Sequence, residues 1–469
     1  MDFCTALKDL LGAHGVLTAP EDRAPFERDW RGLSNHPAIA VALPKTTKQV
    51  SDIVKLCAAQ NIAIVPQGGN TGLVAGAVPI PNKPQLILSF SRMNHIQKLD
   101  PAANSITTEA GVPLAKIQQA AAGADRIFPI SFAADGSAQV GGAISTNAGG
   151  VQVLSYGTMR AQVLGLEVVL ADGTIWNGLT ACPKDNTGYD LKQIFIGAEG
   201  TLGLITAACL RLYPAPRARA TALAGIGSAG QAMALFQAVR QIAGSSLTLC
   251  EFMTAEALAL GGTAPFAAPA FLLLEISALE EAAAPQTLLE RALEAALAEG
   301  TAQNAVIAQS GRERENLLAL RENIPEGELH SGGALKHDIS VPLSRMAEMV
   351  EATQTLIAQY HPHCRLNIFG HLGDGNLHIN VRPPTGQTLA SLDSTKTAIT
   401  QAIENIAVSL NGSFSAEHGI GQFRLPSMAA HKSPEALALM RRLKQAFDPA
   451  HLFNPGKTIP QSDKEKDDP

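Results

Sequence analysis

Residues 370 to 380 read GHLGDGNLHIN, with three glycines, two histidines, one aspartate and two asparagines in eleven positions. Three kinds of chemistry are open to such a stretch. Its glycines could let backbone N–H groups converge on a phosphate, its Asp-Gly pair could make a tight turn, or its imidazoles could hold a metal ion. A two-residue turn at Asp374-Gly375, between strands LNIFGH and NLHINV, puts His371 directly opposite His378. The two side chains then share a face, about 5 Å apart at Cβ, with Asn380 on the same face opposite Phe369. Paired neutral imidazoles can chelate a divalent metal if a carboxylate completes the set. On geometry alone, the plain turn and the metal site both stay open.

A carboxylate is available in FSAEHGIG, residues 414–421. Glu417 is a candidate metal ligand and His418 a candidate base. Neighbours on a regular strand point oppositely, so both reach one site only if the backbone is irregular. Gly419 and Gly421 permit that, and a solvated Glu-His pair beside a turn is the plainer alternative.

Two further stretches are dense in glycine: PQGGNTGLVAG (66–76) and GGAISTNAGG (141–150). Neither carries GxGxxG opening a helix, so the Rossmann fingerprint is absent. NPGKT (454–458) imitates the end of a phosphate-binding P-loop, but His451 stands where its first glycine belongs. Gly68, Gly69 and Gly72 can present successive N–H groups to an anion, and Asn70 and Thr71 add donors suited to phosphate oxygens. Two such loops, each following a strand in one domain, suggest an extended ligand such as a dinucleotide.

The elements that would position these residues are legible in part. AIAVALP (38–44), IAIVP (62–66), QLILSF (85–90) and SITTEAG (105–111) read as strands. Thr46 or Thr47 caps a helix through Gln60 with Val50, Ile53, Val54 and Cys57 on one face, and residues 112–124 read as another helix. LGLEVVLADGTIWN (164–177) reads as a hairpin turning at Asp172-Gly173. LYPAPRARA (212–220) marks a domain crossover. Beyond it, Ala-rich helices near 229–243 and 281–299, a strand at 270–277 and further hairpins indicate α+β organisation.

The 469 residues suffice for two or three domains, and 46% hydrophobic with 17% charged residues describes a globular chain. A net charge of −6 argues against nucleic acid as a partner. The six cysteines form no CxxC pair, so zinc-ribbon and iron–sulfur readings lack ligands. The N-terminus shows no signal-peptide pattern, and no apolar run approaches the roughly 20 residues of a membrane helix. A cytoplasmic protein is the expectation, with peripheral placement at an inner membrane as the alternative.

PQGGNTGLVAG, then GGAISTNAGG…LSYGTMR…VLGLEVVLADG, then NTGYDLKQIFIGAEGTLGLIT resemble the FAD-binding domain of the p-cresol methylhydroxylase/vanillyl-alcohol oxidase superfamily. The resemblance implies cofactor contacts at Gly68, Gly69, Asn70, Thr71, Gly72, Ser137, Gly142, Asn147, Gly149, Gly150, Glu199, Gly200 and Ile205. Many relatives attach the flavin through a first-loop histidine, which this loop lacks, so the FAD is expected to be non-covalent. LRENIPEG (320–327), GGALKHDISVP (332–342), GHLGDGNLHINV, SAEHGIGQFR and FDPAHLFNPGKT resemble, in order, the cap domain of FAD-linked D-2-hydroxyacid dehydrogenases. That family carries a metal, usually zinc with manganese as the alternative, on positions matching His371, His378 and Glu417. Arg321, Lys336, Asn380 and His418 match its substrate or catalytic residues, and Asn454 falls where the tail returns to the flavin. One departure is Pro325, where some 2-hydroxyglutarate enzymes have a threonine; proline cannot donate a hydrogen bond.

The resemblance therefore implies a two-domain α+β flavoprotein: an N-terminal segment (1–35), an FAD domain (36–215) and a cap (216–459) whose tail returns to the flavin; the charged composition of residues 460–469 reads as a disordered tail. Its expected reaction oxidises a D-2-hydroxy acid, D-2-hydroxyglutarate or D-lactate first among them. Arg321 and Lys336 would hold carboxylate, a metal would acidify the hydroxyl, His418 would take the proton and FAD the hydride. Electrons would leave to an electron-transfer protein, cytochrome or quinone, and a homodimer is one arrangement left open. A flavin oxidase, including a glycolate oxidase subunit, is the near alternative. A metal-dependent hydrolase is the distant one, and it leaves the glycine loops unexplained.

Overall fold

The computed structural model describes residues 2–280 and 284–461, and the expected tail from residue 462 onward lies outside them. Packing divides the chain into two units. The first comprises residues up to Gly150, Gly157–Pro214 and everything from Glu417; the second comprises Val151–Tyr156 and Ala215–Ala416.

The first unit begins with strand–helix alternation. A four-stranded sheet runs in the order Val16–Leu17, Ala40–Ala42, Gln85–Ser89, Ala63–Gln67, its last three strands parallel. The helix Thr47–Ala59 starts where Thr46 accepts a hydrogen bond from the Gln49 amide, and it buries Val50, Ile53, Val54 and Cys57. Alternation then stops. Ile96–Asp100, Ser105–Glu109, Leu204–Arg211, Val163–Val169 and Ile175–Gly178 form a five-stranded antiparallel sheet. Its last pair is the hairpin expected at Asp172-Gly173, with Gly173 at φ +80°. The closing segment adds Leu452 and Phe453 to the core and pairs Phe453 with Ile64.

The second unit is one seven-stranded antiparallel sheet. Its order is Asn304–Ile307, Ala218–Ile226, Ala270–Ala278, Leu247–Thr254, Arg365–His371, Asn376–Arg382, Leu335–Ser340. Helices Ala229–Ala243, Ala284–Ala298, Met346–Tyr360 and Lys396–Ser409 cover one face. Phe236, Phe252, Leu272, Ile379 and Ile403 are buried there, each Leu, Ile or Phe contributing about 1.5–3 kcal/mol. The other face is apolar under helix Gly311–Glu322, where Leu223, Leu273, Leu317 and Leu320 meet. Toward Leu335–Ser340 that face turns polar. An antiparallel sheet with helices segregated to its faces is α+β, as the pattern indicated.

Candidate functional site

The hairpin at 370–380 forms, with a different register. Phe369, not His371, lies opposite His378, and Asn367 lies opposite Asn380. The turn is four residues long. Leu372–Asp374 make a 3₁₀ turn, Gly375 takes φ +87°, and the Asn376 amide donates to Asp374 Oδ1. Gly373 packs against the Leu154 side chain and Gly375 against the Val341 carbonyl, contacts from distant segments that accompany the longer turn. His371 and His378 are therefore diagonal neighbours, with ring centroids 5.9 Å apart.

Each imidazole has a carboxylate near it. Glu251, opposite His371 on the next strand, accepts at Oε1 from His371 Nδ1 (2.5 Å) and at Oε2 from Arg321 Nε (2.7 Å). Burial works to raise the Glu251 pKa, but the His371 and Arg321 charges outweigh it and leave it below its ordinary value. The Arg321 guanidinium also lies 4.7 Å over the Phe369 ring. Asp338, opposite His378 on the other side, has Oδ1 3.8 Å from His378 Nδ1, and the two residues offer metal-ligating atoms within 4.8 Å of each other.

One row further along the same face, Lys336, Asn380 and Asn367 stand side by side. Glu328 reaches them from helix Ile324–His330, which starts with Pro325 in its first turn. Its Oε1 accepts from Asn367 (3.0 Å) and Asn380 (2.8 Å), and Lys336 Nζ lies 3.4 Å from Oε2. The sheet thus gathers Arg321, Lys336, Asn380, His371 and His378 onto one face. The second unit ends at Ala416, whose amide donates to Asp338 Oδ2 at 3.0 Å. Glu417 and His418 follow in a segment with no regular structure, where Gly419 and Gly421 take positive φ.

Three residues of this site were not among those expected: Glu251, Asp338 and Glu328. A lone carboxylate in the apolar strand LTLCEFMT, and the Lys336–Asp338 period of two, are the signals that could have found the first two. Glu328 carries no such signal.

In the first unit the glycine motifs meet. A Cβ on Gly69 would lie 1.8 Å from the Ser137 carbonyl, and one on Gly200 would lie 2.5 Å from Pro66. So the 66–72 loop packs against both 137–142 and 199–200. A Cβ on Gly72 or Gly142 would meet no protein atom within 4 Å, and the buried Oε1 of Gln139, beside Gly68, has no partner among the described residues. These are features of a cradle for a polar ligand.

Other expected cofactor residues are tied to protein. Asn70 donates to the Arg28 carbonyl. Asn147 ends a helix in the left-handed conformation and accepts from the Thr158 hydroxyl and Arg160 amide. Ile205 is buried in the core, as are Gly149 and Gly150, while Ser137 is exposed and Thr71 half-buried. Glu199, at φ +50°, accepts from the Ile420 and Gly421 amides, both at 2.8 Å. Asn454 donates to the Gly76 and Glu199 carbonyls, both at 2.9 Å. Lys457 donates to Gly76, Val78 and Asn454.

Residues 215–458 match the family described as FAD linked oxidases, C-terminal domain, and residues 38–178 match the FAD binding domain. The chain belongs to the FAD-linked oxidase family. It is 38% identical over 451 residues to D-2-hydroxyglutarate dehydrogenase, mitochondrial, of Bos taurus, covering 95% of this chain and 81% of the relative. The enzyme of the same name from Xanthomonas citri is 36% identical, with 98% and 97% covered. Among solved structures, p-cresol methylhydroxylase with substrate bound superimposes with a TM-score of 0.76 at 16% identity, over 98% of this chain and 96% of that one. Alkyldihydroxyacetonephosphate synthase gives 0.74, at 16% identity, over 97% and 85%. These two speak to the fold alone, which is of the p-cresol methylhydroxylase type. A member of this family is an FAD-dependent oxidoreductase. The six cysteines are free, and no helix among the described residues is long and apolar enough to cross a membrane.

Proposed function

We propose that this chain oxidises a D-2-hydroxy acid to the 2-oxo acid and passes the electrons to a separate acceptor. The observation that carries the reading is the polar face of the second unit's sheet. It gathers Arg321, Lys336 and Asn380 with two imidazoles, each accompanied by a carboxylate. D-2-hydroxyglutarate and D-lactate are the substrates the relatives and motifs put first.

The donor set fits a divalent metal. Glu251 on His371 Nδ1 makes Nε2 the ligand atom to be expected there and raises its basicity, and Asp338 lies beside His378 in a similar way. His371, His378 and Glu417 would hold the ion, zinc being the natural occupant of nitrogen and carboxylate ligands. When bound, the metal supplies a Lewis acid for the substrate hydroxyl, and FAD supplies the hydride acceptor. The flavin is held without a covalent bond by Gly68, Gly69, Asn70, Thr71 and Gly72, with segments 137–150 and 199–205 and Asn454 around it.

Arg321 receives the substrate carboxylate in a fixed orientation, because Glu251 and Phe369 hold its guanidinium. Lys336 and Asn380 face the rest of the acid. His418 takes the hydroxyl proton as C2 is oxidised. Electrons then leave to a protein, cytochrome or quinone acceptor.

The test is a panel of D- and L-2-hydroxy acids assayed with an artificial electron acceptor, before and after chelation. Turnover of D-acids that chelator abolishes and zinc or manganese restores is expected. Full activity in protein shown by elemental analysis to be metal-free removes the metal, and inactivity on every acid removes the reaction. His418→Ala should keep its flavin and metal and lose about a hundredfold or more in kcat.

A further inference from the structure

We infer that Glu328 is a positioning residue for the reaction, setting the charge that Lys336 offers and the orientation of Asn380; this rests on the D-2-hydroxyacid reading above. The helix that carries it, Ile324–His330, is seated by Gly327, where a Cβ would lie 2.1 Å from the Leu260 carbonyl. Only glycine permits so close a backbone approach, and the helix then carries Glu328 in beneath the strands, where it is buried.

An isolated carboxylate there would be costly, so its partners show what it is kept for. Asn367 and Asn380, opposite each other on neighbouring strands, both donate from Nδ2 to Oε1, at 3.0 and 2.8 Å. Asn380 Nδ2 also reaches Oε2 at 3.0 Å. Lys336, opposite Asn380 on the other side, brings Nζ to 3.4 Å from Oε2. One buried carboxylate thus touches two residues of the expected acid-binding set.

Each contact has a chemical consequence. A carboxylate only accepts, so both amides turn nitrogen toward Glu328 and oxygen away from it. Both Oδ1 atoms are buried without a partner among the described residues. Asn380 can therefore offer the acid only its oxygen, which suits a hydroxyl and not a carboxylate. The Lys336 side chain is 29% exposed and that of Glu328 1%. The acid meets the ammonium and not the carboxylate, and Glu328 acts through Lys336 by offsetting part of the charge that attracts an anion.

The two effects separate by substitution. Glu328→Gln retains Oε1 for both asparagines and removes the charge. Glu328→Asp retains the charge and withdraws the oxygens by one methylene. Both are measured on the D-2-hydroxy acid that wild type turns over fastest. Glu328→Gln should act on KM, lowering it about threefold, because the ammonium then has less competition for the acid. Glu328→Asp should act on kcat, lowering it about tenfold at a KM within about twofold of wild type, the effect of one buried hydrogen bond lost. In a Lys336→Met background, adding Glu328→Gln should no longer lower KM.

A fall in kcat at unchanged KM in both variants is what packing alone produces, and it overturns the inference. So does wild-type kcat in Glu328→Asp. A KM that Glu328→Gln lowers equally with Lys336 replaced overturns it too, and that arm leaves no unpaired ammonium and does not depend on the glutamine variant folding by itself. Wild type inactive on every 2-hydroxy acid would instead overturn the reading beneath it, and this inference with it.

Discussion

Glu251 is the point at which charge, fold and chemistry of the second unit meet, and replacing it by glutamine is informative. The side chain is fully buried and serves two donors, Arg321 Nε at 2.7 Å and His371 Nδ1 at 2.5 Å. Glutamine keeps the shape but offers one oxygen and one N–H₂, so Arg321 loses its counter-charge and His371 Nδ1 can meet the N–H₂ only by giving up its proton. Each charge-assisted bond contributes about 1.5–3 kcal/mol, and leaving buried Arg321 without a counter-charge costs about 3–5 kcal/mol. Glu251→Gln should therefore destabilise the second unit by about 3 kcal/mol.

Fluorescence would miss this, because Trp30 and Trp176 both belong to the first unit. Hydrogen exchange on peptides covering Leu247–Thr254 and Arg365–His371 reads the right strands. A double-mutant cycle with Arg321→Met separates the pair from its surroundings, and a coupling of about 1.5 kcal/mol or more is expected. Additivity within about 0.5 kcal/mol would refute the clamp, since contacting residues that share a charge cannot behave independently.

Two other outcomes follow. Gly142→Leu adds a side chain where no protein atom lies within 4 Å, so the apoprotein should melt as wild type does while the purified protein loses its yellow colour; bound flavin at wild-type level would place the cofactor elsewhere. Burial lowers the pKa of Lys457 to about 7, against the Glu199 charge that raises it. Between that value and the ordinary 10.5 the unfolded chain binds more protons, so this lysine makes stability rise with pH, by at most about 1.4 kcal/mol per unit. Glu199 acts in the opposite sense at lower pH, because burial raises its carboxyl and the stability it adds below its ordinary 4.5 is lost as pH rises through the folded value. Thermal melts from pH 7 to 10 should show Lys457→Met lacking the wild-type rise, and parallel curves would contradict the shift.

Local pattern accounts for what could be read early. The helix at Thr47–Ala59 and the hairpin at Asp172-Gly173 were legible because capping residues, a 3.6 period and an Asp-Gly turn act within a few residues. The same locality explains the misjudged turn at 372–375. Asp374-Gly375 suits a two-residue hairpin, but the turn that forms packs Gly373 on Leu154 and Gly375 on the Val341 carbonyl, and contacts with distant segments are a property of the whole unit. Strand–helix alternation likewise describes only the first sheet of the first unit, because hydrogen bonding between distant segments decides whether later strands pair antiparallel.

What the sequence by itself determined is the set of reactive residues and their order: two histidines on one hairpin, a Glu-His pair near two glycines, and glycine loops after strands. Composition and short spacing suffice for these because side-chain chemistry and turn preference travel with the residue. Only the tertiary structure decided their company. Glu251 reaches His371 across 120 positions of chain, Asp338 pairs with His378 through strand register, and Glu328 arrives on a separate helix. A one-residue change of register moves every side chain to the other face of a sheet. Which carboxylate stands beside which imidazole therefore follows from how seven strands pair.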